Sequence, residues 1–101
     1  MAKRADANQA EIVSALRLMG ASVVHLHTVG KGCPDLAVAI AGQTYLVEVK
    51  NSRKAWKMTP DQVGFHSSWN APIAVLDSVD SAIAWVQRLT DRLSEMERTL
   101  T

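Results

Sequence analysis

The chain has 101 residues, 48% of them hydrophobic, with one cysteine and a formal net charge of +1 at neutral pH. That length suits one domain rather than two, and that apolar content excludes wholesale disorder. The lone thiol, Cys33, excludes an intramolecular disulfide, and no apolar run reaches the roughly 18 to 20 residues of a membrane span. With so weak an overall charge, a nucleic-acid partner has to be met by locally clustered basic residues. The opening MAKRADANQAEI lacks the apolar stretch of a secretory signal, so a cytoplasmic, intracellular protein is expected.

The first predicted element is a helix from Asn8 to about Gly20. NQAE has the capping-box pattern, with Asn8 as N-cap and Glu11 three residues on. Ile12, Leu16 and Met19 have helical spacing, and Gly20 is the stop. SVVHLHTV (22–29) is β-branched and apolar and reads as a strand. GKGCP follows as a loop. Leu36–Ile40 and Thr44–Val49 read as two strands around a tight turn at Ala41, Gly42 and Gln43. NSRKAWKM is a polar, basic connector. TPDQ opens a second helix, with Thr59 as N-cap, Pro60 at the first helical position and Gln62 closing a capping box. It should end near Asn70, before Pro72. IAVL (73–76) is a short strand. Ser78 or Asp80 caps a last helix reaching about residue 97. The order α-β-β-β-α-β-α predicts an α/β fold with a mixed four-stranded sheet flanked by helices.

The hairpin makes a specific prediction about three charged residues. Along a strand Glu48 and Lys50 share one face, and Val47 and Val49 the other. If Gly42-Gln43 is the turn, Asp35 lies opposite Lys50 and diagonal to Glu48. If Ala41-Gly42 is the turn, Asp35 lies opposite Glu48. Both registers gather Asp35, Glu48 and Lys50 on one face, because paired residues project to the same side. Two carboxylates in a partly buried place need neutralising. Lys50 supplies one positive charge, and oxygen donors suit Mg²⁺ or Mn²⁺ for the rest. The plainer reading of the same residues is an edge-strand ion pair.

PD at 34–35, followed one strand later by EVK at 48–50, resembles the PD-(D/E)XK nuclease signature. VGKGCPDL and TPDQ resemble its compact VRR-NUC branch, which occurs in phage-type and bacterial proteins and is similar to Holliday-junction resolvases. The resemblance covers about residues 8–87 and leaves 88–101 as an extension. It implies a restriction-endonuclease-like core and Mg²⁺- or Mn²⁺-dependent hydrolysis of phosphodiester bonds in DNA, with branched or junction DNA as substrate. It implies that Asp35 and Glu48 bind the metal, helped by the backbone carbonyl of Val49. Lys50 would orient or help deprotonate the attacking water and offset charge at the phosphate. Glu11 matches an acidic residue that completes the site in many relatives, and Gln62 a polar helix residue beside the catalytic lysine. The rival readings are a non-catalytic nucleic-acid-binding module that keeps the fold, and a protein-interaction subunit.

Other residues have plainer readings beside the functional ones. Glu11 and Gln62 serve as capping residues whether or not they serve a site. His25 and His27 fall on one strand face, but nothing follows at zinc-finger spacing; if that face is the catalytic one, His27 could contact the phosphate or the metal shell. His66 reads as a packing or surface residue, and Cys33 as a half-buried filler without an activating partner. VGKG lacks the full phosphate-loop pattern, which excludes nucleotide hydrolysis on that basis and leaves Lys31 as a contact to DNA backbone. Arg53, Lys54 and Lys57 surround Trp56, a pattern that can hold phosphates and stack a base. Trp69 and Trp85 are expected in the core. Ala82, Val86, Leu89, Leu93, Met96 and Leu100 form an a/d seam. Its second half outruns a four-stranded sheet, so a homodimer is expected through Leu93, Met96 and Leu100.

Overall fold

The structure is a computed structural model that describes residues 3–100, with side chains described from Ala7 onward. The elements are α1 (Lys3–Leu18), β1 (Ser22–His25), β2 (Leu36–Ile40), β3 (Gln43–Val49), α2 (Pro60–Ser68), β4 (Ile73–Leu76) and α3 (Val79–Leu100). The expected element order holds. The four strands form one sheet in the order β1-β2-β3-β4. β1, β2 and β3 are antiparallel neighbours and β4 joins β3 in parallel, so the sheet is mixed.

The hairpin closes on Ala41-Gly42, with Ile40 paired to Gln43. Ala41 has φ 56° and Gly42 φ 79°, the left-handed pair of a type I′ turn, which follows the twist of the flanking strands. This selects the second of the two registers. Leu36 faces Val47, and the next step outward sets Asp35 opposite Glu48.

One face of the sheet carries the core. Val23, Leu36, Val38 and Val47 are buried there with Ile12 and Leu16 of α1 and Ala82, Trp85 and Val86 of α3. The ring of Tyr45 meets that of Trp85 edge-on, with centroids 5.4 Å apart. Strand alternation sends Glu48 to the other face, where α2 lies. α2 buries none of its own residues, so its position depends on its ends and on polar contacts.

The termini of the helices explain where they stop. Ala21 donates its N–H to Leu16 O and Gly20 to Arg17 O, both at 3.0 Å, which is the Schellman closure of α1 around a left-handed glycine. Thr59 and Gln62 make the expected capping box of α2. Ser78, rather than Asp80, caps α3: its hydroxyl accepts from Ser81 N–H at 3.0 Å.

Four expectations are corrected. α1 begins at Lys3, so Asn8 is not an N-cap and Asn8 and Glu11 form no capping box. The Asn8 amide is used in tertiary contact instead, donating to Lys50 O at 2.6 Å and to Asp77 O at 3.4 Å. β1 ends at His25 rather than Val29, because Val29 N–H turns back to Leu26 O. α2 stops at Ser68, and Trp69 is not in the core: it is 46% exposed and stacks on Phe65. Trp85 is buried as expected. Among the described residues no helix is long and apolar enough to cross a membrane.

Candidate functional site

A cavity of about 840 Å³ opens at the end of the sheet where β3 finishes. Asp35, Glu48, Val49, Lys50 and Gln62 all line it. The hairpin register brings Asp35 and Glu48 face to face, and α2 lowers Gln62 onto them from its first turn.

Glu48 is 2% exposed, the one charged side chain among the buried residues described. Its Oε2 accepts from Gln62 Nε2 at 3.1 Å and lies 3.9 Å from Lys50 Nζ. Gln62 Oε1 in turn accepts from Lys50 Nζ at 2.8 Å. The amide thus bridges acid and base, donating to one and accepting from the other. Asp35 Oδ2 accepts the backbone N–H of Val49 at 2.8 Å, which fixes its carboxylate at the end of the β2–β3 ladder.

Electrostatics at the pair are strained. Burial pushes the Glu48 carboxyl up to about 8, the nearby Asp35 carboxylate pushes the same way, and Lys50 opposes them. One ammonium does not neutralise two carboxylates brought this close. The Cys33 thiol is also raised, by burial first and then by Glu48 and Asp35, so it is the opposite of an activated nucleophile.

The donor set fits a hard divalent cation. Glu48 Oε1 is buried and has no hydrogen-bond partner among the described residues. Among those residues no group of three or more His, Cys, Asp or Glu is placed to hold a metal; the carboxylates that line the cavity are Asp35 and Glu48. Mg²⁺ is commonly held by one or two carboxylates while keeping several waters.

The remaining candidates fall into two groups. Glu11 is exposed and stands outside the cavity lining, which α1 supplies through Asn8, Gln9 and Ala10. His25 and His27 line the cavity on the β1 side, their ring centroids 6.4 Å apart, with His25 Nδ1 bonded to Gln9 Nε2 at 3.0 Å. Lys31, Arg53, Lys54 and Lys57 are exposed on the two flanking loops and do not line the cavity. Trp56 bends back, its ring centroid 6.0 Å from Lys50 Nζ.

Two residues near the site have other tasks in the sequence reading, Asn8 as an N-cap and His66 as a packing or surface residue. Asn8 ties α1 to the ends of β3 and β4, as described above. His66 of α2 points its Nε2 at Glu48 Oε1 from 3.8 Å. Its position four residues after Gln62 is the signal for that placement, since i and i+4 share a helix face. No protein-family model, curated protein or solved structure matches the chain.

Proposed function

We propose that this chain is a metal-dependent endonuclease that hydrolyses phosphodiester bonds in DNA. The observation that carries the reading is the meeting of Asp35, Glu48, Lys50 and Gln62 at one cavity, with Asp35 across the ladder from Glu48. A module that only binds DNA has no use for two carboxylates turned toward a polyanion. The resemblance to VRR-NUC nucleases supports the same conclusion, and through it branched or junction DNA as the substrate.

Each residue has a task in this reading. Asp35 and Glu48 hold Mg²⁺ or Mn²⁺, with the carbonyl of Val49 beside them. An ion held there would supply a lowered pKa to a water and offset charge on the phosphate. Lys50, steadied by Gln62 Oε1, orients the attacking water and balances the developing negative charge. Lys31, Arg53, Lys54 and Lys57 neutralise backbone phosphates to either side of the cut, and Trp56 offers a stacking surface. A homodimer through Leu93, Met96 and Leu100 belongs to the same reading, because it supplies two cuts on paired strands.

The test is cleavage of labelled four-way junction, flap, linear and supercoiled DNA with Mg²⁺, Mn²⁺ or EDTA. Cutting should need the ion, and Asp35→Asn or Lys50→Ala should each reduce it by about 100-fold or more. Cutting that survives both substitutions refutes the site. Tight binding without any cutting supports the non-catalytic module.

A further inference from the structure

His66 stands one helical turn beyond Gln62, so both side chains descend from α2 toward β3. His66 Nε2 and Glu48 Oε1 are 3.8 Å apart. Both atoms are buried, and neither has a hydrogen-bond partner among the described residues. The other oxygen, Oε2, is already served by Gln62. Nearly all buried polar atoms in folded proteins are paired. Two unpaired atoms that face each other therefore mark a contact, here about 0.9 Å longer than an ordinary N–H···O bond.

We propose that His66 is a positioning residue of the cation site, whose Nε2–H holds Glu48 Oε1 and so fixes the plane of that carboxylate beside Asp35. The inference rests on the endonuclease reading above. With Gln62 on one oxygen and His66 closed by that distance of about 0.9 Å onto the other, the carboxylate can no longer turn about its last bond. Both grips come from one helix, and the Gln62 grip is shared with the helix cap. Outer groups that orient a ligating side chain typically contribute about 10- to 100-fold to metal affinity.

The experiment is calorimetric titration of Mn²⁺ into the full chain without DNA, comparing wild type with Asp35→Asn, His66→Phe and His66→Gln. His66→Phe keeps the ring volume and loses the donor, whereas His66→Gln carries an amide N–H to nearly the same place. The expected result is loss of binding in Asp35→Asn, weakening by about 10-fold or more in His66→Phe, and recovery of most of that loss in His66→Gln. Equal affinities for wild type and His66→Phe overturn the role of His66 and leave the endonuclease reading standing. A loss that His66→Gln does not recover also overturns it. Absence of Mn²⁺ binding by the wild type defeats the endonuclease reading itself, and this inference with it. If His66→Phe does not fold, His66→Asn replaces it, since its shorter amide falls short of Glu48; affinities equal to those of His66→Gln then overturn the proposal.

Discussion

Lys50 Nζ and Glu48 Oε2 lie 3.9 Å apart, and the side chain of Gln62 joins them, accepting from the amine at 2.8 Å and donating to the carboxylate at 3.1 Å. The same Gln62 oxygen accepts the N–H of Thr59 at 2.9 Å. One amide therefore starts a helix and links an acid to a base. The local rule for beginning α2 and the arrangement of the site are satisfied by the same atoms.

Gln62→Ala should consequently cost more stability than Thr59→Ala. Thr59→Ala removes the cap alone, about 1 kcal/mol. Gln62→Ala keeps the Thr59 hydroxyl on the residue-62 N–H but frees the Thr59 N–H, and it leaves Glu48 Oε2 without its donor and Lys50 Nζ without its acceptor, for a total of about 2 kcal/mol. Urea midpoints of the two variants measure the difference. Equal midpoints would show that the bridge contributes nothing.

The position of Glu48 makes stability fall with pH in metal-free protein. The folded chain keeps that proton up to about pH 8, whereas an unfolded glutamate releases it near 4.5. Below 4.5 both states are protonated and no penalty exists. Between the two values the folded state binds more protons, so its stability declines as pH rises, and above 8 the penalty is complete. Glu48→Gln should be more stable than wild type at the alkaline end, with the gap closing toward the acid end. Mg²⁺ at about 100 times its dissociation constant should add about 2.7 kcal/mol to the wild type and nothing to the variant. Denaturation series with Mg²⁺ or EDTA test both halves, and a gap independent of pH would contradict the first.

Gly32 docks α2 against the loop that carries Asp35. A Cβ there would strike the backbone carbonyl of Asp61, at the start of α2, and the residue also has φ +80°. Gly30, with φ +75°, has open space around it. Gly30→Ala should cost about 1 kcal/mol for the left-handed backbone. Gly32→Ala should cost about 1–3 kcal/mol more, for the overlap. A displaced α2 would also carry Gln62 away from Lys50 and Glu48. Chemical denaturation gives the costs, and similar values for the two glycines would rule out tight docking.

The hairpin and the polar cluster were legible because they rest on local rules. Strand alternation, a Gly in a two-residue turn and the distance from Asp35 to Glu48 suffice to gather the charges, whichever of two registers is taken. Thr59, Pro60 and Gln62 were legible for the same reason. Asn8 was not, since a polar residue before an apolar run reads as a cap, and only the folded sheet supplies the carbonyls of Lys50 and Asp77 that it meets instead. Trp69 was misplaced because aromatic bulk suggests burial, while α2 stands outside the core and adds no buried residue to it. Glu11 carries the right charge for a metal site, yet the turn of α1 that faces the cavity presents Asn8, Gln9 and Ala10.

The end of α3 leads to a prediction about assembly. Met96 is 55% and Leu100 83% exposed, beside a groove of about 340 Å³ that also involves Arg92 and Glu95. Light scattering should give twice the chain mass for the wild type and the single chain mass after Met96→Glu with Leu100→Glu, or after deletion of residues 92–101. An unchanged mass removes the seam from the account.

The Asn8 amide, held by the carbonyls of Lys50 and Asp77, works like a rivet through three elements. The parallel strand pair cannot spread at that end without also releasing the first helix. Amide hydrogens of β4 and of the middle of α1 should therefore exchange with solvent at matched rates, and Asn8→Ala should uncouple them. A single side chain near the beginning of the chain would then decide whether the mouth of the cavity opens piecemeal or only as a unit.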